Sequence, residues 1–146
     1  MKTSVRGITL ALILLSAFAV AQSSSDEITL YNAKGKPVAY IADDDDSTIY
    51  LWNGKPVAYL HSDDIYGFNG NHLGWFVKGV IHNHDGDVVG ATKSHLMVIP
   101  EISPIKSLKD LKPLKGLREL KPLKPIFSLS WSEDETLRSF LSAGAD

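Results

Sequence analysis

The chain contains no cysteine among its 146 residues. Disulfide bonds, a thiol nucleophile, a cysteine zinc cluster and a lipidated cysteine are therefore excluded, and packing alone must hold the fold together. The sequence also lacks a nucleophile elbow, a phosphate-binding loop and a dinucleotide-binding fingerprint. We predict no catalytic residue and no cofactor, and a binding or structural role is favoured over catalysis.

Long hydrophobic runs are also missing. The longest, residues 8–20, is shorter than the roughly 20 residues that a membrane-spanning helix requires. Lys2 and Arg6 precede it, and the small-x-small sequence ending at Ala21 follows it, as in a cleaved signal peptide. We predict a signal peptide over residues 1–21 and a linker over residues 22–27, with an uncleaved N-terminal anchor as the alternative. A disulfide-free exported chain fits a bacterial periplasm or cell exterior.

The chain has little net charge, −2, but its charges are segregated. Residues 28–92 carry four lysines and eight aspartates, a net charge of 4 − 8 = −4. Residues 105–126 carry seven basic and two acidic residues, a net charge of 7 − 2 = +5. We expect the basic segment to dock on the acidic one or to bind an anionic partner. No nucleic-acid partner is expected.

A motif occurs four times between residues 28 and 92, and each copy contains a glycine in a turn: Gly35, Gly54, Gly70 and Gly86. Short flanks rich in β-branched and aromatic residues predict that every copy is a β-hairpin. The Asn-Gly pairs at 53–54 and 69–70 predict two-residue turns with positive φ at both positions, whereas the longer first turn suits a type I turn closed by Gly35.

Both faces of the predicted hairpins are apolar, so the four copies must share one core. Closing them into a ring removes the exposed strand edges. The fold class that we predict is mainly β: a small pseudo-fourfold barrel of four β-hairpin repeats over residues 28–99, followed by an extended tail and a short C-terminal helix. An ordinary twisted meander of eight strands is the alternative.

The copies that read W-N-G-K-P-V-A-Y from Trp52 and F-N-G-N-H-L-G-W from Phe68 resemble the 4-fold beta flower family of bacterial proteins, as does the weaker fourth copy with D-G-D-V-V-G. The resemblance implies hairpins that radiate as petals from a shallow barrel, and it implies no activity. The family's barrel is similar to the Tubby-type phospholipid-binding fold, which suggests lipid binding by analogy alone. The chain departs from the pattern at Ala91, which replaces the aromatic of the other copies.

After Pro100 an aliphatic residue recurs at every third position, from Ile102 to Leu129, and a basic residue follows seven of these in succession. A polyproline II helix has three residues per turn, so aliphatic and basic side chains would form two straight stripes over residues 100–131. We expect the aliphatic stripe to dock on the barrel and the basic stripe to meet the aspartates. A solvated flexible linker is the alternative. A capping-box sequence from Ser132 predicts a helix over residues 132–142, which with Trp131 would pin the tail.

The predicted binding residues are three aromatics of the repeats and three lysines of the tail: Trp52, Phe68, Trp75, Lys109, Lys112 and Lys115. A metal could be bound by His82 and His84 with Asp85 or Asp87, but these residues coincide with a turn that favours Asn, Asp and Gly, so no metal ligand is assigned. The run Asp43–Asp46 lacks the spacing of a calcium loop and is read as a solvated loop.

The sequence thus indicates a non-enzymatic binding or structural module of the bacterial cell envelope. Its partner would be an envelope protein or an anionic lipid surface. The alternative functions are a phospholipid-binding protein and, less favoured, a metal-dependent enzyme that uses His82 and His84.

Overall fold

A computed structural model describes residues 26–145, and the predicted signal peptide lies outside this range. Eight antiparallel strands form a closed barrel in sequence order, with the last strand paired to the first. The strands are β1 Ile28–Tyr31, β2 Pro37–Ile41, β3 Thr48–Leu51, β4 Pro56–His61, β5 Asp64–Gly67, β6 His72–Val77, β7 Val80–His82 and β8 Val88–Ala91. The four copies of the repeat are the hairpins β1–β2, β3–β4, β5–β6 and β7–β8. The predicted fourfold barrel is confirmed.

All four hairpin turns share one geometry. In each, the glycine N–H donates to the carbonyl of the residue three positions earlier, at 2.9–3.0 Å, and the glycine has a positive φ of 79–91°. The prediction of positive φ at Asn53 and Asn69 is wrong, since only the following glycine has it. The Asn53 side chain instead accepts a hydrogen bond from the backbone N–H of Lys55, which holds the turn in the form predicted for the first copy alone.

Each hairpin also contains a register shift, next to Leu30, Ile49, Ile65 and Ile81. Such bulges bend a strand and increase its twist, which a ring of only eight short strands requires. Small residues lie opposite these four aliphatics inside the barrel: Ala39, Ala58, Gly74 and Gly90. They leave room in the interior for one more element.

That element is the C-terminal helix α1, Leu137–Ser142. Leu137, Phe140 and Leu141 are buried and belong to the same core as the inward-facing barrel residues. A Cβ on Gly74 would contact the ring of Phe140 at 2.9 Å, and one on Gly90 would contact Leu137 at 2.7 Å. The helix therefore fills the barrel.

The helix begins at Leu137 rather than at residue 132. Thr136 is the N-cap: its hydroxyl accepts from the N–H of Ser139, whose side chain accepts from Thr136 in return. The predicted capping residue Ser132 accepts from the N–H of Glu135 and forms a turn before the helix. The apolar face of α1 enters the core, and Trp131 bridges separately to Val88 on β8. No helix within residues 26–145 is long and apolar enough to cross a membrane.

Between the short 3₁₀ turn Lys93–His95 and Trp131, the tail runs from one hairpin to the next without helix or strand. Its aliphatic residues from Ile99 to Leu129 point away from the barrel and are 91–97% exposed. The prediction that this stripe would cover the barrel is therefore wrong. These exposed aliphatic residues stand at every third position, which is the period of a polyproline II helix.

Candidate functional site

The tail contacts the barrel with a period of nine residues. Backbone N–H groups nine residues apart each donate to the carbonyl of one turn glycine: Glu101 to Gly35, Asp110 to Gly54, Glu119 to Gly70 and Ser128 to Gly86, all at 2.8–2.9 Å. Nine residues of a polyproline II helix make three turns, so equivalent side chains face the barrel at each hairpin. The fourfold repeat of the barrel is thus matched by four nine-residue segments of tail, 96–104, 105–113, 114–122 and 123–131.

The turn glycines allow this close approach. A Cβ on Gly54 would overlap the carbonyl oxygen of Leu108, and one on Gly70 would overlap that of Leu117. The same position of the tail segment, Ile126, approaches Gly86 in the fourth hairpin. Glycine is thus required both by the turn and by the contact with the tail.

Lysines of the tail form ion pairs with carboxylates of the barrel. Lys106 and Lys109 each lie 2.8 Å from an oxygen of Glu27, and Lys112 lies 3.4 Å from Asp44 and 3.2 Å from Asp46. Burial alone would raise the pKa of Glu27, but the hydrogen bonds from the two ammonium groups outweigh it and hold this pKa below its ordinary value. The pKa of Lys109 is raised by the same hydrogen bond. These pairs fix the position of the tail along the barrel wall.

Aromatic side chains on the outer wall support the same lysines. Lys106 Nζ lies 4.2 Å from the ring centre of Tyr40, and Lys115 Nζ lies 4.4 Å from that of Tyr59 and also pairs with Asp46. Arg118 stacks over Tyr66 at 5.6 Å. Cation–π contacts of this kind contribute about 0.5–2 kcal/mol each. The outer aromatics thus lie between barrel and tail.

The predicted binding residues therefore contact the tail or lie beneath it. Trp52 donates from Nε1 to the carbonyl of Pro104 at 3.0 Å, and Phe68 is buried against Tyr59. Trp75 is only 1% exposed, with its ring 5.8 Å from that of Phe127. The lysines Lys109, Lys112 and Lys115 point at the barrel and form the pairs given above. Sequence reasoning missed Glu27, which precedes the first strand of the barrel, and Met97, which the nine-residue period of the tail could have revealed.

A chain of polar side chains lies beneath the third tail segment. Lys121 Nζ is 2.9 Å from Asp64, whose other oxygen is 3.0 Å from Nε2 of buried His72. Nδ1 of His72 is in turn 3.0 Å from Nε2 of His84, which is exposed. Burial lowers the pKa of His72 despite its carboxylate partner. The neutral form of His72 donates from Nε2 to Asp64 and accepts at Nδ1 from His84. These hydrogen-bonded side chains, from Lys121 through Asp64 to His72, can orient the imidazole of His84.

His82 and His84 do not share a site. His82 stacks on Phe127 with ring centres 4.0 Å apart, and its Nδ1 donates to the carbonyl of Gly86, 3.1 Å away. Asn83 accepts backbone hydrogen bonds from Asp85 and Asp87, so these two residues belong to the turn. Within residues 26–145, no three His, Asp or Glu side chains are grouped so that they could hold a metal ion. Asp44 in the acidic loop accepts from Thr48 and forms a turn in the same way.

The remaining candidate is an apolar surface, which we call the aliphatic belt. It consists of every third residue of the tail: Ile99, Ile102, Ile105, Leu108, Leu111, Leu114, Leu117, Leu120, Leu123, Ile126 and Leu129. A monomeric soluble protein seldom exposes an apolar patch beyond about 300–600 Å². At about 100 Å² for each fully exposed aliphatic side chain, the belt offers roughly 1,000 Å² in total, spread over all four hairpins. The belt is therefore the remaining candidate for a binding site.

The structure thus defines a closed barrel of four hairpins, filled by a C-terminal helix and wrapped by an extended tail. The chain belongs to the 4-fold beta flower family, whose model matches residues 28–141. The match includes the tail and most of α1 as well as the barrel. No curated protein and no solved structure matches the chain.

Proposed function

We propose that the protein is a non-enzymatic binding module of the bacterial envelope, and that it binds its partner through the aliphatic belt. The observation that carries this proposal is the complete exposure of eleven aliphatic side chains at the third-residue positions from Ile99 to Leu129. Stability does not require aliphatic residues there, because these side chains touch little of the barrel. Binding of a partner would bury these aliphatic side chains.

The tail is pre-organised for binding. Its backbone is hydrogen-bonded to each hairpin turn, and lysines Lys106, Lys109 and Lys112 are paired with carboxylates. A partner therefore meets a fixed row of side chains and does not have to order a flexible segment, which would cost affinity.

A protein partner is favoured over an anionic lipid surface. The lysines that would contact lipid phosphates are already paired with Glu27, Asp44, Asp46 and Asp64. Acidic residues Glu101 and Asp110 lie between the belt residues along the tail. An apolar groove bordered by basic residues would complement this surface.

The test compares the wild type with a belt variant, Leu111→Ser, Leu114→Ser, Leu117→Ser and Leu120→Ser. Each protein is immobilised, and solubilised envelope proteins are passed over it in parallel. We expect a protein retained by the wild type, at a defined stoichiometry, to bind the belt variant at least tenfold more weakly. The control is Lys34→Ser and Lys55→Ser, which changes two exposed turn residues and should leave binding unchanged.

Equal retention by all three proteins contradicts the proposal. Vesicles with and without anionic phospholipid are tested in the same way. Salt-sensitive binding to anionic vesicles that survives in the belt variant would favour the phospholipid alternative instead.

A further inference from the structure

The fourfold pattern of aromatic and basic residues is broken at one position. The strand registers place Tyr40, Tyr59, Trp75 and Ala91 at equivalent points, opposite Thr29, Thr48, Asp64 and Val80. The nine-residue period of the tail makes Met97, Lys106, Lys115 and Lys124 equivalent in the same way. Lys106 lies over the ring of Tyr40, and Lys115 lies over that of Tyr59. At the third position the ring of Phe127 packs on Trp75, and Lys124 lies over Phe127.

At the remaining position both members of the pair are changed. Ala91 replaces the aromatic ring and Met97 replaces the lysine, so a cationic and aromatic contact becomes a small apolar one. This position is the seam of the molecule, where the first tail segment leaves β8 and the last segment returns to it. Neither substitution introduces a side chain large enough to occupy the place of an aromatic ring.

A cavity of about 410 Å³ lies at this seam. Its apolar lining includes Val80, Val88, Ala91, Met97, Leu129 and Trp131. Ala91 and Val88, only 1% and 4% exposed, lie behind the cavity on the barrel wall, so its accessible surface comes from the other lining residues. Its volume and apolar character are those of small-molecule sites, which range over about 300–1,000 Å³.

Polar groups border the cavity on one side only. Ser94 and His95, both exposed, contribute to its lining, and the Ser94 hydroxyl lies 3.1 Å from Nδ1 of His95. A ligand with one hydrogen-bonding group could therefore place its apolar body against Met97, Leu129 and Trp131 and its polar atom at the imidazole or the hydroxyl. Few polar groups around an apolar cavity are what fixes the orientation of a bound ligand.

We propose that the seam cavity binds a small aromatic molecule of one or two rings with a single polar group. The ligand lies at the seam, where the pattern lacks both the aromatic ring and the lysine, and contacts Trp131 and Met97 of the tail. Aromatic rings and methionine sulfur make favourable contacts with such a ligand. This site is separate from the aliphatic belt, although Leu129 contributes to both.

Indole is the probe, since it has two fused rings and one N–H donor. Binding to the protein comprising residues 26–145 is measured by NMR, from the methyl signals of Ala91, Met97 and Val88 during titration with indole. We expect saturable shifts at these three residues in the wild type. Ala91→Tyr introduces the aromatic ring of the equivalent positions, which would extend into the cavity and should weaken indole binding at least tenfold.

Met97→Lys returns the missing lysine at a side chain that is 91% exposed, so folding should be preserved. It should weaken binding at least threefold, and it decides the question if Ala91→Tyr does not fold. The matched control Leu111→Ser changes the belt alone and should bind indole within twofold of the wild type. Absence of saturable shifts in the wild type, equal affinity in the seam variants, or shifts confined to belt methyls would each overturn the proposal.

Discussion

At the scale of single residues, glycine is where barrel and tail depend on each other most directly. Gly54 adopts a φ of 91°, which ends the hairpin turn, and its missing Cβ leaves room for the carbonyl of Leu108. The sequence predicts the first role from the Asn-Gly pair. It does not predict the second, because that contact joins residues more than fifty positions apart.

Replacing Gly54 by alanine should therefore affect two elements at once. Positive φ costs a residue with a Cβ about 1 kcal/mol or more, and the overlap with Leu108 adds a displacement of the tail. We expect the free energy of unfolding in urea to fall by about 1–3 kcal/mol and proteolysis after Lys109 in the native protein to become faster. The control Lys55→Ala, at an exposed neighbour in the same turn, should change neither measurement, and an unaltered cleavage rate in Gly54→Ala would contradict the contact.

His72 shows the limit of sequence reasoning at the same scale. Its partners Asp64 and His84 come from β5 and from the fourth turn, and Lys121 comes from the tail. Sequence patterns directed attention to His82 and His84 because they alternate. The buried His72, which joins Asp64 to His84, lies in the third copy of the repeat and is not part of an alternating histidine pattern.

At the scale of elements, the repeat predicts the barrel because all four hairpins share their turn glycines and alternate apolar faces. The alternation does not say what fills the barrel. Leu137, Phe140 and Leu141 form one apolar face of α1, but the small residues that receive them, such as Gly74 and Gly90, are spread over separate hairpins. The predicted direction of the aliphatic stripe is wrong because the lysines of the tail make cation–π and ion-pair contacts with the barrel and turn the aliphatic residues outward.

Phe140→Ala tests the helix as the filling of the barrel. Truncating a buried phenylalanine costs about 3–5 kcal/mol, through lost burial and the cavity that remains. We expect a loss of this size in urea unfolding, with β-structure retained below the transition. The exposed residue Arg138 on the same helix gives the control Arg138→Ala, which should lose less than about 1 kcal/mol. Equal losses in both variants would mean that α1 does not enter the core.

At the scale of the whole molecule, charge joins the acidic barrel to its basic tail. The pKa values of Glu27 and Asp64 are lowered chiefly by tail lysines, against the effect of burial. The pKa of Asp44 is lowered, also against burial, by hydrogen bonds from Thr48 and then by Lys112, and that of Asp46 chiefly by Lys115. A carboxyl group whose pKa is lowered by folding stabilises the protein at pH values above its ordinary pKa. This stabilisation is lost as the pH falls through the pKa of the folded state. The pKa values of His72 and His82 are lowered by burial, so below their ordinary value of 6.5 the unfolded chain takes up protons that the folded chain does not.

Stability should therefore decline in two stages as the pH falls. The first begins near pH 6.5 from the two buried histidines, and the second, steeper stage begins near pH 4 as the carboxylates are protonated. Urea unfolding at a series of pH values measures both. His72→Gln should diminish the first stage and leave the second. A flat profile between about pH 7 and 5 would contradict the burial of neutral histidines.

The course of the tail has a consequence for how the molecule comes apart. It leaves the barrel after β8, passes all four hairpins, and ends in a helix whose side chains lie inside that barrel. Cutting one peptide bond within the tail would thus produce two fragments that stay associated. The C-terminal fragment would remain held through α1 and the N-terminal one would carry the barrel around it. The wrapped tail makes the fold tolerant of a break in its own covalent chain.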